Sequence, residues 1–364
     1  MERVHKRKPV SLGDIARVAG MSRMTVSCAL RNQPGVSEEN RNRIQKIATD
    51  MGYEPDARLN NWMERVRGSK DKGLVPIAWL NTDYESKDCW QSYPYLSPYL
   101  EGAERRCGEL GYRLEQIWTQ QKGMTNRRIS QILYQRGIRG VIVAPPDRVH
   151  LGRIRLNWSN FSLATFERGI GAPRLSRVSQ DFYANMMLAL KVLRRSGYRR
   201  IGVFVSEQTD RRAYHAHQAV IGYFQSKIRM GEWVRPYLHT ERDVPGAGFA
   251  EWLRNERIDV VVGQHSRLLD WVRASGYRVP EDVGVAHMAL EDDCSGWAGI
   301  WAHKREIGAA TVELVVSLMQ THQLGLPMVP RDIMIPGCWH PGGTVLLPKP
   351  SVASHAIRNK RGVR

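Results

Sequence analysis

The sequence predicts a small all-helical N-terminal unit joined to an α/β core of two doubly wound lobes. Three observations predict it. Between Ser11 and Gly52 apolar residues recur at helical spacing, punctuated by Ser and Gly at the positions where helices start and stop. From Val75 onward short apolar runs alternate with amphipathic stretches, and this βα alternation occurs twice. Between the two textures lies a polar, glycine-bounded stretch, GSKDKG, at 68–73. A chain of 364 residues has room for one small unit and two core domains of average size.

Ser11 can cap a first helix, after which Leu12, Ile15, Ala16 and Ala19 take i, i+3, i+4, i+7 spacing, one buried face. Gly20 supplies the left-handed geometry of a tight turn, and Ser22 caps a second helix, Arg23 to Arg31. Its inner side is Val26, Ala29 and Leu30, which leaves Arg23, Met24, Ser27 and Cys28 facing outward. Ser37 caps a third helix with Glu38 and Glu39 at its positive end and Ile44, Ile47, Ala48 and Met51 inside. This is a helix-turn-helix with a supporting helix, and its second helix fits a DNA major groove.

The runs LGDIARVAGMSRMTVSCALRN and GVSEENRNRIQKIATDMGYEPD resemble the headpiece of the lactose/galactose-repressor (LacI/GalR) family of bacterial transcription regulators. The third helix and the GYEP at a fixed distance beyond it are the family-specific part. The resemblance implies major-groove contacts from Ser22, Arg23, Met24, Thr25, Ser27, Cys28 and Asn32. Cys28 stands where the family has Arg, which weakens one base contact. It also implies a hinge helix after Pro55, too short to fold alone in water, that enters the minor groove when paired across a dimer. Pro55, Ala57, Arg58, Trp62 and Met63 are its candidate contacts, with Trp62 at the family's usual Leu position and Trp62 or Met63 as the wedge between base steps. The expected boundaries are a headpiece at 1–54, hinge and linker at 55–73, core at 74–347 and a basic, disordered tail at 348–364.

In the core, VPIAWL from Val75, YRLEQIW and GVIVAPP read as strands with helices at about Tyr95–Leu110 and Met124–Arg136 between them, and FSLATF and VSQDF come next. The second set runs through a helix Phe182–Arg195, GYRRIGVFV, a helix Asp210–Lys227, EWVRPYLH, a helix Gly248–Asn255, IDVVVG, a helix Ser266–Ser275, VPEDVGVAHM, GIWA and a helix Lys304–Thr321. IRGVIVAPP, VSQDFYANMMLALKVLRRSGYRRIGVF, GYRVPEDVGVAH and KREIGAATVELVV extend the family resemblance through the core. It implies a periplasmic-binding-protein-like core whose chain crosses between lobes three times, expected near Thr165, Leu290 and Pro336.

Lys plus Arg exceeds Asp plus Glu by 54 to 36, a net charge of +18, which draws phosphate whatever its sequence. No run approaches the length of apolar residues that spans a bilayer, and the basic N-terminus lacks an apolar signal region, so a cytoplasmic, nucleoid-associated protein with no membrane partner is expected. Cys28, Cys89, Cys107, Cys294 and Cys338 are odd in number and scattered, which argues against a disulfide framework or zinc knuckle.

A cleft between lobes at the carboxyl ends of the strands would take a small ligand. The resemblance implies Asp181 as an acceptor of ligand hydroxyls, Arg212 opening the helix after GVFV as a donor, and Gln264 or His265 at the end of IDVVVG. Trp90, Tyr93 and Trp233 are candidates for stacking on a sugar face. Ala289 stands where the family commonly has Asp, and Ala302 or His303 where a polar residue is usual, so the effector differs from the simple hexoses or uses other residues. GxGxxG, GxxxxGK[ST], HExxH and GxSxG are all absent, so neither catalysis, a cofactor nor a metal is expected. The expected function is a ligand-responsive repressor acting as a homodimer on a pseudo-palindromic DNA operator, with a carbohydrate or related metabolite as effector. The alternative is a sugar-binding or constitutive regulator whose effector or operator specificity has degraded.

Overall fold

The computed structural model describes residues 10–30, 35–53, 74–82, 96–144, 156–167, 173–240, 247–290 and 296–346. Helices α1 (Leu12–Ala19), α2 (Arg23–Leu30) and α3 (Glu38–Asp50) form the N-terminal unit. Ser11 and Asp14 close a reciprocal capping box on α1, and Gly20 ends it at φ 66°. Ile15, Ala19, Val26, Ala29 and Ile44 are fully or nearly fully buried and form a core of their own.

The first sheet consists of β1 (Val75–Asn81), β2 (Tyr112–Trp118), β3 (Gly140–Val143), β4 (Ser162–Phe166), β5 (Ser176–Gln180) and β11 (Asp332–Ile335). Its order is β11-β5-β4-β3-β1-β2, and all pairings are parallel. The second sheet consists of β6 (Ile201–Ser206), β7 (Tyr237–His239), β8 (Val260–Gly263), β9 (Gly284–Leu290), β10 (Ala298–Trp301) and β12 (Cys338–His340). Its order is β12-β10-β9-β8-β6-β7, parallel except for β12 against β10. The helices are α4 (Ser97–Glu109), α5 (Asn126–Gln135), α6 (Phe182–Arg195), α7 (Glu207–Arg212), α8 (Ala216–Gln225), α9 (Ala247–Asn255), α10 (Leu268–Ala274) and α11 (Lys304–Gln320). Parallel strands need crossover helices and are covered on both faces, which is why β3, β4, β6, β8 and β9 are buried along their whole length.

The three crossings lie at 180–182, 301–304 and 335–338. The expectation near Pro336 therefore holds, and the other two are displaced by one strand each. Thr165 lies inside β4, which pairs with β5, and Leu290 ends β9, which pairs with β10, so the chain completes each sheet before leaving it. The expected helix Asp210–Lys227 is broken into α7 and α8, because Tyr214 and His215 adopt left-handed φ of 51° and 60°. β11 and β12, flanking the last crossing, are not among the strands that the sequence predicts. They are short and poorly buried, and each is defined by its sheet partner.

In the first lobe α4 and α11 pack so closely that a Cβ at Gly102 would collide with the Arg305 carbonyl, and one at Gly308 with that of Tyr99. Arg305–Glu101 at 2.9 Å and Arg106–Glu313 at 2.8 Å flank this contact.

Candidate DNA-reading helix and ligand cleft

In the N-terminal unit, the side of α2 that packing does not consume carries Arg23, exposed, and Met24, 78% exposed. Ser22 and Thr25 bond each other through their hydroxyls at 2.8 Å, and the Ser22 hydroxyl accepts from the Thr25 N–H at 3.0 Å, which caps α2. Ser27 and Cys28 are half-buried at the edge of the same face. Asn32 and the hinge candidates Pro55, Ala57, Arg58, Trp62 and Met63 lie outside the described residues, as do Trp90, Tyr93 and the tail from Leu347.

All three crossings leave the carboxyl ends of parallel strands, so these ends of both sheets face the junction between lobes. On the second lobe a cavity of about 280 Å³ opens there, lined by Phe204, Val205, Ser206, Thr209, His239, Gln264 and His265. His265 Nδ1 accepts from the Arg267 N–H at 3.1 Å, and its ring packs on Trp271 with centroids 4.2 Å apart. Burial, then His239 and Arg267, lower its pKa, so it is neutral at pH 7 and carries its proton on Nε2, a donor. His239 stacks on Phe204 at 4.2 Å, and its Nδ1 donates to the Thr240 carbonyl at 2.9 Å.

On the first lobe, Glu167 comes directly after β4 in the left-handed region at φ 46°. Its Oε1 accepts from the Tyr99 hydroxyl at 3.2 Å and the Gln180 N–H at 3.4 Å, and Oε2 is buried without a hydrogen-bond partner. Burial pushes its carboxyl up to about 7, against those two bonds and the nearby Lys304 ammonium. Asn81, fully buried at the end of β1, accepts from Trp79 Nε1 at 3.1 Å, and its Nδ2 is buried without a partner. Strained backbone, a raised carboxyl and an unspent amide thus sit at the strand ends of the first lobe.

The sequence candidates separate accordingly. Gln264 and His265 line the cavity. Asp181 stands at the first crossing, but its Oδ1 accepts from the Ala184 N–H at 2.8 Å, capping α6. Arg212 closes α7, which Ser206 caps, rather than opening the helix, and it is not among the cavity-lining residues. Trp233 is 42% exposed before β7, at the amino edge of a sheet whose carboxyl edge holds the cavity, so a stacking role in that cavity does not fit. Ala289 and Ala302 are buried with 1% exposure each.

Sequence reasoning missed His239, Glu167 and Asn81. Each is the polar residue that closes an apolar run, and that position is the signal that marks all three.

Asp210 anchors a further network behind the cavity wall. Burial would raise its pKa, but the His217 imidazole 3.3 Å away and hydrogen bonds from Gln218 and His215 hold its carboxylate well below the usual range. Among the described residues no cluster of His, Cys, Asp and Glu could hold a metal ion, and no helix is long and apolar enough to cross a membrane.

Comparison with known proteins places this geometry. Residues 11–56 match the model of bacterial regulatory proteins of the lacI family. The ribose operon repressor of Haemophilus influenzae is 24% identical over 193 residues, 53% of this chain and 54% of that protein. The transcriptional regulator MalR of Streptomyces coelicolor is 25% identical over 291 residues, 75% of this chain and 78% of that protein. The chain spans about half the length of the first curated relatives it matches, 54% and 56%. A lac repressor dimer, bound to operator and an anti-inducer, shares the fold with a TM-score of 0.54 at 15% identity, covering 93% of this chain and 100% of that one. Over residues 11–56 the chain is thus similar to bacterial regulatory proteins of the lacI family, and over nearly its whole length it shares the fold of the lac repressor.

Proposed function

We propose that this protein is a ligand-responsive, sequence-specific DNA-binding transcription regulator, a repressor that acts as a homodimer on a pseudo-palindromic operator. The observation that carries the reading is α2, whose outer face presents Arg23 and Met24 while the core of the unit is complete without them. Arg23 is suited to guanine acceptors, Met24 to an apolar feature such as a thymine methyl. Ser22, Thr25, Ser27, Cys28 and Asn32 complete the major-groove set, and the hinge residues from Pro55 to Met63 act in the minor groove.

The effector binds at the strand ends between the lobes, against His265, His239 and Gln264 on one side and Glu167 and Asn81 on the other. The donor and acceptor groups of this set suit a hydroxyl-rich metabolite. The similarity to a ribose operon repressor supports a carbohydrate. Closure of the cleft shifts the spacing of the two headpieces, and the shift requires only differential affinity of the ligand for the two arrangements. A ligand-independent regulator is the second reading, favoured by Ala289 in the family's Asp position and by the capping role that occupies Asp181.

Selection of bound sequences from random duplex DNA by the full-length protein, at stated salt, tests the reading. A pseudo-palindrome with half-sites about one helical turn apart is expected. Purely non-specific, steeply salt-dependent binding, with and without a panel of sugars, would overturn it.

A further inference from the structure

The Arg23 guanidinium does not simply project into solvent; it lies against the backbone of α1 at Gly13. A Cβ on Gly13 would stand 2.9 Å from Nη2, 3.0 Å from Nε and 3.2 Å from Cζ of Arg23, tight enough that the flexible guanidinium end would have to shift to admit it. One edge of the planar group therefore rests in the notch that the missing side chain leaves. Gly13 is the second residue of α1 and Arg23 the first of α2, so this cation sits at the positive ends of two helices. The carboxylate of Asp14, next to Gly13, accepts from Ser11 in the capping box and from Arg17 at 3.1 Å. A guanidinium at two helix N-termini is relieved by phosphate or base acceptors, which DNA supplies. Glycine is a poor residue for a helix on propensity alone, so the notch has no local rationale in α1 itself.

We propose that Gly13 is a positioning residue for base recognition: the notch on α1 holds the Arg23 guanidinium where it reads a guanine in each half-site. Arg, unlike Lys, presents its donors in a rigid fork, so its readout depends on where the plane is held. A side chain at residue 13 moves the fork, and the base preference moves with it. The inference rests on the assignment of Arg23 to base reading made above.

The test compares binding-site selections by full-length wild type, Gly13→Ala, Arg23→Ala, Arg23→Lys and the Gly13→Ala/Arg23→Lys double variant, with melting temperature as a folding control. Gly13→Ala is expected to lose about tenfold of the discrimination at the position lost in Arg23→Ala and at no other, a loss of about 1.4 kcal/mol per half-site. Its melting temperature should be unchanged or higher, since Ala is the better helix former. In the Arg23→Lys background Gly13→Ala should change nothing further. The proposal is overturned if Arg23→Ala alters the preference and Gly13→Ala does not, or if Gly13→Ala has the same effect with Lys at residue 23. An unaltered profile in Arg23→Ala would instead remove the assignment of Arg23 and the proposal with it.

Discussion

At the scale of single residues, Glu167 carries the most distinctive chemistry in the core. Its carboxyl titrates at about 7 in the folded protein, against an ordinary value of 4.5, because burial disfavours the anion. The folded state thus holds this proton more tightly than the unfolded chain does. Stability from Glu167 is fully present below pH 4.5 and is lost as pH rises through 7, by at most about 3 kcal/mol. Glu167→Gln should remove this slope and make the protein more stable than wild type at pH 8, as read by urea unfolding at pH 5 and 8. Equal pH dependence in the two proteins would contradict the assignment. Asp210 has the opposite sign: its pKa is depressed, so its contribution is present above the normal Asp range and lost as pH falls below it. Asp210→Ala strands the buried His217 and should cost about 1 to 3 kcal/mol at pH 7. Neither role can be read from the sequence around these residues, because each depends on groups brought from other elements or on burial.

At the scale of elements, the α4–α11 contact is set by two glycines rather than by interdigitating side chains. Gly308→Ala should lower stability by about 1 to 3 kcal/mol, since the Tyr99 carbonyl must move to admit a methyl group. A denaturation midpoint equal to wild type would show that the two helices are free to part. The Ser11 cap is a second element-level case: Ser11→Ala removes one side of the capping box and should cost about 1 kcal/mol of headpiece stability. Loss of α1 amide protection in hydrogen exchange would report it. That cap was legible in the sequence because capping is a local event, complete within a few residues. The break between α7 and α8 was not, because no Gly or Pro marks it and the left-handed turn at Tyr214 and His215 is stabilised by the His215 contact to Asp210.

At the scale of the whole molecule, the N-terminal unit buries its own small cluster, whose members among the described residues lie at 10–53, whereas each lobe is built on a six-stranded sheet. Small cores are marginal, so amides of α1 to α3 should exchange faster than those of β1, β3, β6 and β8 in the free protein, and should slow when a selected operator is added. Uniform exchange across the chain would contradict this division. The net charge of +18 predicts operator affinity that falls steeply with salt, about 0.9 log units per log unit of salt for each phosphate neutralised. The slope should decrease when Arg or Lys residues of the headpiece are replaced and not when those of the second lobe are.

The sequence by itself determined most of the elements, though not β11, β12 or the break between α7 and α8, because helical and strand periodicity, caps and turn glycines act over a few residues. It determined the outward position of Met24 for the same reason: a helix that buries Val26 and Ala29 turns Met24 away from them, whereas Arg23, three residues before Val26, is exposed as the residue that opens the helix. Tertiary structure alone decided which strand belongs to which sheet, and hence moved two crossings from Thr165 and Leu290 to Asp181 and Ala302. It also set His239 beside Gln264 and His265 in the cavity wall, and it left Arg212 and Trp233 out of the residues that line it. Sheet order is a property of pairings between segments distant in sequence. A parallel strand of a given composition fits either sheet until its neighbours are chosen, and only that choice fixes what its carboxyl end will face.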